Sequence, residues 1–207
     1  MGEFAKFMKP KISVIMAVYN EENYINEAIE SILKQTFTDF EFIIVNDGST
    51  DSSKAIIKSY TDKRIKLINQ SNEGVAKARN AGVKESKGKY IAILDADDIS
   101  EPNRIKRQYN FLVYNHNYIA IESNAILLDM ENNFIYRSNL PLSDYKMKEI
   151  LPEFPTFHPS LMFYKNVFSQ VGGYPDYMLK GEDLVMFNRI VKYGKISNIK
   201  EQRVNDK

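Results

Sequence analysis

Residues 91–98 read Ile-Ala-Ile-Leu-Asp-Ala-Asp-Asp, an apolar run that ends in three carboxylates. The apolar part is typical of a buried strand. In an extended chain, side chains two residues apart point the same way, so Asp95 and Asp97 are expected to share one side just beyond that strand. Two adjacent anions repel each other, and a divalent cation with oxygen ligands is the simplest compensation. A solvated acidic loop is the alternative, because a bare Asp-x-Asp also occurs by chance.

Strand-like and helix-like patterns alternate along the chain around this run. Four apolar runs predict strands, at Ile12–Val18, Phe40–Val45, Arg64–Ile68 and Tyr90–Leu94. Four segments carry a helical repeat or helix caps, namely Asn20–Gln35, Ser52–Ser59, Gly74–Ser86 and Asn103–Tyr114. This alternation predicts an α/β fold with a mostly parallel central sheet and helices on both faces. In open sheets of that kind, ligands bind in the crevice outside the carboxyl ends of the strands.

The pattern changes after about residue 118. Tyr118–Leu128 and Phe134–Ser138 predict a hairpin. A short strand is predicted at Ser160–Tyr164, after the Pro-rich segment 152–159, and a helix is predicted at Glu182–Tyr193. These elements indicate a mixed arrangement beside the parallel one.

We expect a single domain over residues 8–207, in which residues 8–98 form a nucleotide-binding half and residues 99–207 a mixed, acceptor-binding half. A Met-Lys-Pro sequence typical of a natural start follows residues 1–7, which are expected to be an appended or disordered N-terminus. The polar stretch 201–207 follows a further predicted strand with no closing helix, which is compatible with truncation at the C-terminus.

Composition limits the classes of function. The 207 residues carry 28 Lys and Arg against 27 Asp and Glu, and the formal net charge of +1 gives no electrostatic case for binding nucleic acid. The absence of cysteine excludes disulfides and thiolate metal sites, and is compatible with a cytoplasmic location. No apolar run approaches the roughly 18 residues that span a bilayer, and no signal peptide is recognisable.

Polar and aromatic side chains follow the first two predicted strands. The turn at residues 17–22 reads Ala-Val-Tyr-Asn-Glu-Glu, and its side chains suit a flat heterocycle that is stacked on and hydrogen-bonded. Asp47 follows the second strand, where a carboxylate can accept a hydrogen bond from a pyrimidine N–H or a ribose hydroxyl. A turn or helix cap explains Asp47 about equally well. The first turn lacks the Gly-x-Gly-x-x-Gly of a dinucleotide-binding unit, so a diphosphate would need positive charge from elsewhere.

Two further features supply charged groups. A metal at the acidic run could meet the diphosphate, and Arg79 on the preceding helix could add a fixed positive charge, although an exposed helix charge is an equal alternative for Arg79. Glu182 and Asp183 lie in the first turn of the last predicted helix, whose dipole favours carboxylates there. A carboxylate held ionised at a rigid helix end is also a usable general base.

In this order and at these spacings, the motifs resemble those of the inverting glycosyltransferases of family 2, which have the GT-A fold. The resemblance runs from Ile12 to about Ile199. Its pieces are Val-Tyr-Asn-Glu-Glu from residue 18, Val-Asn-Asp-Gly-Ser-Thr-Asp from 45, Ala-Lys-Ala-Arg-Asn-Ala-Gly from 76, Leu-Asp-Ala-Asp-Asp from 94, Val-Gly-Gly-Tyr from 171 and Gly-Glu-Asp from 181. Each piece is moderately specific, and together they are a strong signal.

The resemblance implies a donor site made of matching residues. Tyr19 would pack on the base of a nucleotide sugar, Asp47 would bind its ring, and Asp95 would contact the ribose or the sugar. The full set expected to bind the nucleotide is Ala17, Tyr19, Glu21, Asp47, Arg79, Asp95 and Ala96. Asp97 would hold Mn²⁺ or Mg²⁺ against the diphosphate, whereas Asp98 is expected to be structural because it points the other way in an extended chain.

The resemblance also implies roles on the acceptor side. Asp183 would be the catalytic base, and Glu182 would contact the acceptor. His158, in Phe-His-Pro-Ser, would lie near the donor, or it would be a buried structural histidine.

The implied activity is metal-dependent transfer of one sugar, with inversion, from a nucleoside-diphosphate sugar to a saccharide or lipid-linked acceptor. A UDP-sugar is the family-level expectation, with cell-surface polysaccharide or glycolipid as product and a location at the inner face of the cytoplasmic membrane. The chain lacks the Gln-x-x-Arg-Trp of processive synthases, which favours single-sugar transfer. Nucleotidyl transfer is one alternative, although it usually needs a Gly-rich basic loop after the first strand. A non-catalytic nucleotide-sugar binding module is another, against which the intact Asp97 and Asp183 count.

Overall fold

A central sheet with helices packed on it makes up most of the computed structural model, which describes residues 9–129, 131, 133–150, 157–178 and 180–199. Its strands are β1 Ile12–Val18, β2 Phe40–Asp47, β3 Ile65–Gln70, β4 Tyr90–Ile93, β5 Tyr118–Ser123, β6 Ile126–Leu128, β7 Phe134–Arg137, β8 Met162–Tyr164 and β9 Lys195–Ile199. Its helices are α1 Ile25–Leu33, α2 Ser53–Ser59, α3 Val75–Glu85, α4 Arg104–Tyr114, α5 Asp144–Ile150, α6 Lys165–Val171 and α7 Glu182–Ile190. The predicted segments 1–7 and 201–207 and residues 152–156 of the Pro-rich segment lie outside the described residues.

The first four strands form a parallel sheet, as predicted. Across the whole seven-stranded sheet the order is β3, β2, β1, β4, β8, β5, β9. β1 pairs in parallel with both β2 and β4, and β2 pairs in parallel with β3. The chain therefore moves from β1 to one side for β2 and β3, and then returns to the other side for β4. A crevice opens at such a reversal, outside the carboxyl ends of the strands.

Helices cover both faces of the sheet because its central strands are apolar on both faces. Val14 and Met16 of β1 belong to the core under α1, α2 and α4, whereas Ile15 between them belongs to the core under α3, α5, α6 and α7. Alternate side chains of a strand point to opposite faces, so a continuous apolar run such as β1 needs cover on both. Gly82 on α3 allows close packing, since a Cβ there would lie 2.7 Å from Ile15 Cγ2.

The later part of the chain extends the sheet in a mixed manner. β8 runs antiparallel between β4 and β5, and β5 pairs in parallel with β9. β6 and β7 form a separate two-stranded sheet, which confirms the predicted hairpin. The prediction of one strand over Tyr118–Leu128 is wrong, because the chain leaves the main sheet between β5 and β6. Asn124 Oδ1 there accepts from Leu140 N (3.0 Å) and Asn198 Nδ2 (2.8 Å), which holds the crossing in place.

Two short helices in this region have no counterpart in the sequence-based prediction. α5 and α6 are seven residues each, and their buried faces consist of only one to three side chains. Within the described ranges, no helix is long and apolar enough to cross a membrane.

Candidate active site

A cleft of about 320 Å³ opens at the carboxyl edge of the parallel strands. Its walls are the turn after β1, the end of β2, the loop from β3 into α3, and the turn after β4. The residues that line it are Ala17, Val18, Tyr19, Glu21, Asp47, Asn72, Gly74, Val75, Arg79, Asp95, Ala96 and Asp97. All seven residues expected to bind the nucleotide and the expected metal ligand are among them. The structure therefore brings these residues into one cleft, and their individual roles stay predictions.

The turn after β1 is tied to the loop after β2, which explains why α1 begins only at Ile25 rather than at Asn20. Asn20 adopts a left-handed backbone conformation (φ 57°), and its Oδ1 accepts a hydrogen bond from Thr50 N at 2.8 Å. The backbone N–H of Glu21 donates to Ser53 Oγ at 2.8 Å. These bonds hold the turn as one wall of the cleft, with the Tyr19 side chain 46% exposed at its rim.

Asp47 holds the entrance of α3. Only 3% of the residue is exposed, and its carboxylate accepts hydrogen bonds from Gln70 Nε2 (2.7 Å), Glu73 N (3.0 Å) and Gly74 N (2.9 Å). Beside it, Gly48 has φ +74°, and a Cβ there would lie 2.6 Å from the backbone of the loop before α3. The structural alternative for Asp47 is therefore real, since it caps this loop at the same time as it lines the cleft.

The acidic run forms a turn rather than an extended strand end. β4 ends at Ile93, and Asp98 N donates to Asp95 O at 3.3 Å. The expectation that an extended chain places Asp95 and Asp97 on one side is therefore wrong in its reasoning, although both residues do line the cleft. Asp98 is not among the cleft residues. Burial, followed by the negative charges of Asp95 and Asp97, raises its pKa to about 6 against the opposing positive charge of the buried Arg104.

Negative charge accumulates at the cleft. The pKa of Glu21 is raised, first by burial and then by the nearby carboxylates of Asp97, Asp51 and Asp95. Asp97 is exposed in the cleft, whereas Asp95 forms an ion pair with Arg79. Uncompensated carboxylate oxygens of this kind fit a divalent cation. No group of three or more His, Cys, Asp or Glu side chains that could hold a metal occurs within the described residues. A cation here would therefore need oxygen ligands from another molecule.

Arg79 is a buried residue of α3, so the alternative of an exposed helix charge is wrong. The residue is 6% exposed. Its Nη2 donates to Asp95 Oδ1 and its Nη1 donates to Glu182 Oε1, both at 2.7 Å. The charge that we expected to be available for a diphosphate is thus already shared between two carboxylates.

The start of α7 lies close to the cleft through this contact. Glu182 is buried and turned towards Arg79, a geometry that does not favour the predicted contact with an acceptor. Asp183 is partly exposed, and its Oδ1 accepts from the backbone N–H of Leu184 at 2.7 Å. Phe187 and Ile190 on the same helix are buried in the core. Asp183 is not among the residues that line the cleft, and it stands one residue away from the anchored Glu182.

His158 lies in the interior rather than in the cleft wall. It is 2% exposed, and its Nε2 lies 2.7 Å from Tyr174 Oη. Burial holds the pKa of His158 well below its usual value, and the positive charge of Arg79 acts in the same direction. This geometry favours the structural alternative for His158. Tyr174 lies between His158 and Arg79, and it is Arg79 that lines the cleft.

Several residues of this region were missed from the sequence. Asn72 and Val75 line the cleft, and Tyr174 packs beside Arg79. Asn72 follows β3 at the same sheet edge as the predicted residues, so the rule that located Asp47 also applies to it. The position of Tyr174 rests on a contact between segments 94 residues apart, which no local pattern indicates.

Comparison with known proteins assigns the family. The family model described as glycosyl transferase family 2 matches residues 13–172. The chain belongs to this family. This glycosyltransferase is 40% identical over 192 residues to the uncharacterized glycosyltransferase MJ1057 of Methanocaldococcus jannaschii. The alignment covers 88% of this chain and 65% of that protein. It is 36% identical over 194 residues to an uncharacterized glycosyltransferase of Rickettsia bellii, covering 93% of this chain and 28% of that protein. The glycosyltransferase described here thus spans 28% to 65% of the length of these relatives.

Solved structures show the same fold. S. aureus TarS in complex with UDP-GlcNAc matches this glycosyltransferase with a TM-score of 0.79 at 22% identity, over 96% of this chain and 60% of that one. The mannosyltransferase PcManGT of Pyrobaculum calidifontis, in complex with GDP-Man and Mn²⁺, matches with a TM-score of 0.69 at 20% identity, over 96% and 56%. The fold is therefore that of the GT-A glycosyltransferases, as predicted.

Proposed function

We propose that this glycosyltransferase moves a sugar from a UDP-sugar to an acceptor hydroxyl, with inversion and with a divalent metal. The observation that carries the proposal is the convergence, at one strand-end cleft, of a rim aromatic, a buried carboxylate and an acidic turn in which Asp95 pairs with Arg79 while Asp97 is exposed. A flat base, a ribose and a diphosphate require these three kinds of group. Structures of the same fold are complexed with UDP-GlcNAc and with GDP-Man and Mn²⁺, which supports a nucleotide-sugar donor.

The donor would lie along the carboxyl edge of the strands. Tyr19 at the rim offers a face on which the base stacks, beside Ala17 and Glu21. Asp47 would accept a hydrogen bond from a uracil N–H in addition to those it accepts from Gln70 and from the loop before α3. The turn that carries Asp95 and Ala96 would then meet the ribose and the start of the diphosphate.

Asp97 would hold Mn²⁺ or Mg²⁺ together with the diphosphate oxygens and water. The cation would supply positive charge to offset the charge that grows on the departing diphosphate. The carboxylates of Glu21 and Asp97 fit such a cation, because they add negative charge to the cleft. The arginine that lines the cleft, Arg79, pairs with Asp95 rather than with Asp97. With one expected protein ligand, the cation would bind weakly unless the nucleotide is present.

Asp183 would act as the base. Its carboxylate would take the proton of the acceptor hydroxyl while that oxygen bonds to the anomeric carbon. The bond from the anomeric carbon to the diphosphate oxygen would break on the opposite side, and its electron pair would leave with the diphosphate. A base carried by a different helix from the donor groups suits inversion, because attack and departure occur on opposite faces of the sugar.

The acceptor that we propose is a saccharide or a lipid-linked saccharide, with a cell-surface polysaccharide or glycolipid as the product. Action at the inner face of the cytoplasmic membrane, with peripheral association, would bring the enzyme to a lipid-linked acceptor. These assignments extend the family resemblance.

The proposal is tested by incubating the protein with a panel of nucleotide sugars, with and without Mn²⁺, and measuring released nucleoside diphosphate. We expect release of UDP that depends on the metal. Release of pyrophosphate from a nucleoside triphosphate would instead indicate nucleotidyl transfer. Binding of UDP-sugars without turnover in the presence of any saccharide acceptor would indicate a binding module.

A further inference from the structure

The buried guanidinium of Arg79 joins two segments that are distant in the sequence. Its Nη2 bonds to Asp95 on the cleft side, and its Nη1 bonds to Glu182, the first residue of α7 and 103 positions away. The side chains of Arg79 and Glu182 are 7% and 8% exposed, whereas that of Asp95 is 30% exposed. One charged group therefore fixes the separation between a cleft carboxylate and the start of α7.

A second contact from α3 holds the segment before α7. Asn80, next to Arg79, donates through Nδ2 to Tyr174 O at 2.9 Å and accepts through Oδ1 from Tyr174 N at 3.0 Å. The ring of Tyr174 lies 5.6 Å from the Arg79 guanidinium carbon. Gly173 has φ +71°, and a Cβ there would lie 2.7 Å from Asn80 Oδ1, so this pairing needs glycine. Four separate motifs of the sequence, those that begin at residues 76, 94, 171 and 181, thus meet in one network.

The charges in this network keep it intact. Burial alone would lower the pKa of Arg79, but the neighbouring Asp95, Tyr174 and Glu182 raise it, so the guanidinium stays charged. A buried ion pair with good geometry is costly to break, because the remaining charge loses its partner without regaining water. Both terminal nitrogens of Arg79 are engaged, which leaves this arginine poorly suited to bind a diphosphate directly.

We propose that Arg79 and Glu182 are positioning residues whose ion pair fixes the first turn of α7, and with it Asp183, relative to the Asp95 side of the donor cleft. Adjacent Cα atoms are about 3.8 Å apart, so a fixed Glu182 constrains where the next carboxylate can stand. The inference rests on the proposed function, in which Asp183 is the base. It assigns to Glu182 a role through its neighbour rather than a contact with the acceptor.

Two variants of Glu182 test the proposal. Glu182→Ala removes the acceptor of the Arg79 Nη1 bond, and we expect kcat to fall by about 10²-fold, the usual effect of misplacing a reacting group by about 1 Å. Affinity for UDP with Mn²⁺ should stay at the parental value, because the donor residues lie before α7. Glu182→Gln retains a side-chain oxygen that accepts from Nη1, so it should recover most of the lost turnover. The acid limb of its kcat–pH profile should stay at the parental position.

A matched control separates positioning from loss of stability. Asp62→Ala removes the partly buried ion pair with Arg64, whose N–O distance is 2.8 Å, at the amino end of β3 away from the cleft. We expect it to lower the thermal midpoint without lowering kcat. If Glu182→Ala does not fold, Glu182→Asp keeps the charge but shortens its reach, and the same fall in kcat at parental UDP affinity is expected.

The contrary results are distinct. A parent protein that turns over no nucleotide sugar would overturn the proposed function itself. With an active parent, parental kcat in Glu182→Ala or Glu182→Asp would overturn the positioning role. Glu182→Gln as inactive as Glu182→Ala would overturn the role assigned to the bond with Arg79, and loss of the acid limb of the kcat–pH profile in Glu182→Gln would mean that Glu182 is itself the base. Loss of UDP affinity in Glu182→Ala would move its role to donor binding. Each of these would remove the inference.

Discussion

The described residues up to Asp98 and those after it are built in different ways. In the first region, four parallel strands end at one sheet edge, and all the residues that line the cleft come from it. In the second region, β8 runs antiparallel, a hairpin forms its own sheet, and Glu182 at the start of α7 contacts Arg79 of the cleft. Donor binding and proton removal would then reside in separate regions, joined by Arg79.

The largest effect is expected from the second region. Asp183→Asn should lower turnover by roughly 10²–10⁴-fold, the usual contribution of general acid–base catalysis, because an amide cannot take the acceptor proton. The variant should keep the parental affinity for UDP with Mn²⁺, since no residue of the cleft wall is altered. Steady-state kinetics and UDP titration measure the two quantities. Near-parental turnover would exclude Asp183 as the base, and lost UDP binding would show that the two regions are not separate.

A substitution in the first region is expected to have a smaller effect, and to act on the affinity for UDP rather than first on turnover. Asp47→Ala should weaken UDP binding by roughly 1.5–3 kcal/mol, the usual contribution of a hydrogen bond to a charged group. It should also lower the thermal midpoint, because Gln70, Glu73 and Gly74 lose their acceptor. Asp47→Asn retains one acceptor oxygen, so its thermal midpoint should stay nearer to the parental value than its affinity for UDP does. If Asp47→Ala is destabilised but binds UDP as tightly as the parent in a titration at low temperature, Asp47 is a cap alone.

The smallest effect concerns pH and the interior of the second region. The pKa of His158 is lower in the folded protein than in the unfolded chain, mainly through burial and then through Arg79. As pH falls through the usual histidine pKa, the unfolded chain takes up the proton first, so stability falls, by at most about 1.4 kcal/mol per pH unit for one proton. Denaturant unfolding at several pH values below 7, compared between the parent and His158→Gln, isolates this slope from the opposite contribution of Asp98, whose raised pKa of about 6 stabilises the folded state as pH falls. His158→Gln should flatten it, whereas His116→Gln, at the exposed second histidine, should not. An unchanged slope in His158→Gln would contradict the assignment.

The same comparison explains how far the sequence could be interpreted. In the first region, strands and helices follow from local periodicity, and their predicted bounds differ from the observed ones mainly at the ends. β2 extends to Asp47 and α1 starts at Ile25, because a turn bonded to the loop after β2 occupies residues 20–22. In the second region, α5 and α6 are short, and β8 is set by its pairing with β4 and β5 rather than by its own pattern.

The site divides in the same way. Residues at strand ends, such as Asp47 and Asp97, were located because parallel strands end at one edge. The partners of Arg79 were not predicted, since its bond to Glu182 depends on how α7 packs against α3. The acidic turn was located correctly but for the wrong reason, because its backbone bends after β4. Tertiary contacts of this kind carry no periodic signal in a single sequence.

The central claim is that the cleft of the first region is a nucleotide-diphosphate site completed by a divalent metal. Calorimetric titration of Mn²⁺ into the protein with and without UDP tests it most directly. Asp97→Asn is the test variant, and Asp129→Asn, at an exposed carboxylate just after β6, is the matched control. We predict that Mn²⁺ binds weakly to the free protein and that UDP raises its affinity. Mn²⁺ should raise the affinity for UDP by the same factor, as linkage requires. Asp97→Asn should lose this coupling and Asp129→Asn should keep it. Tight Mn²⁺ binding to the free protein that UDP does not change, or full coupling in Asp97→Asn, would contradict the account.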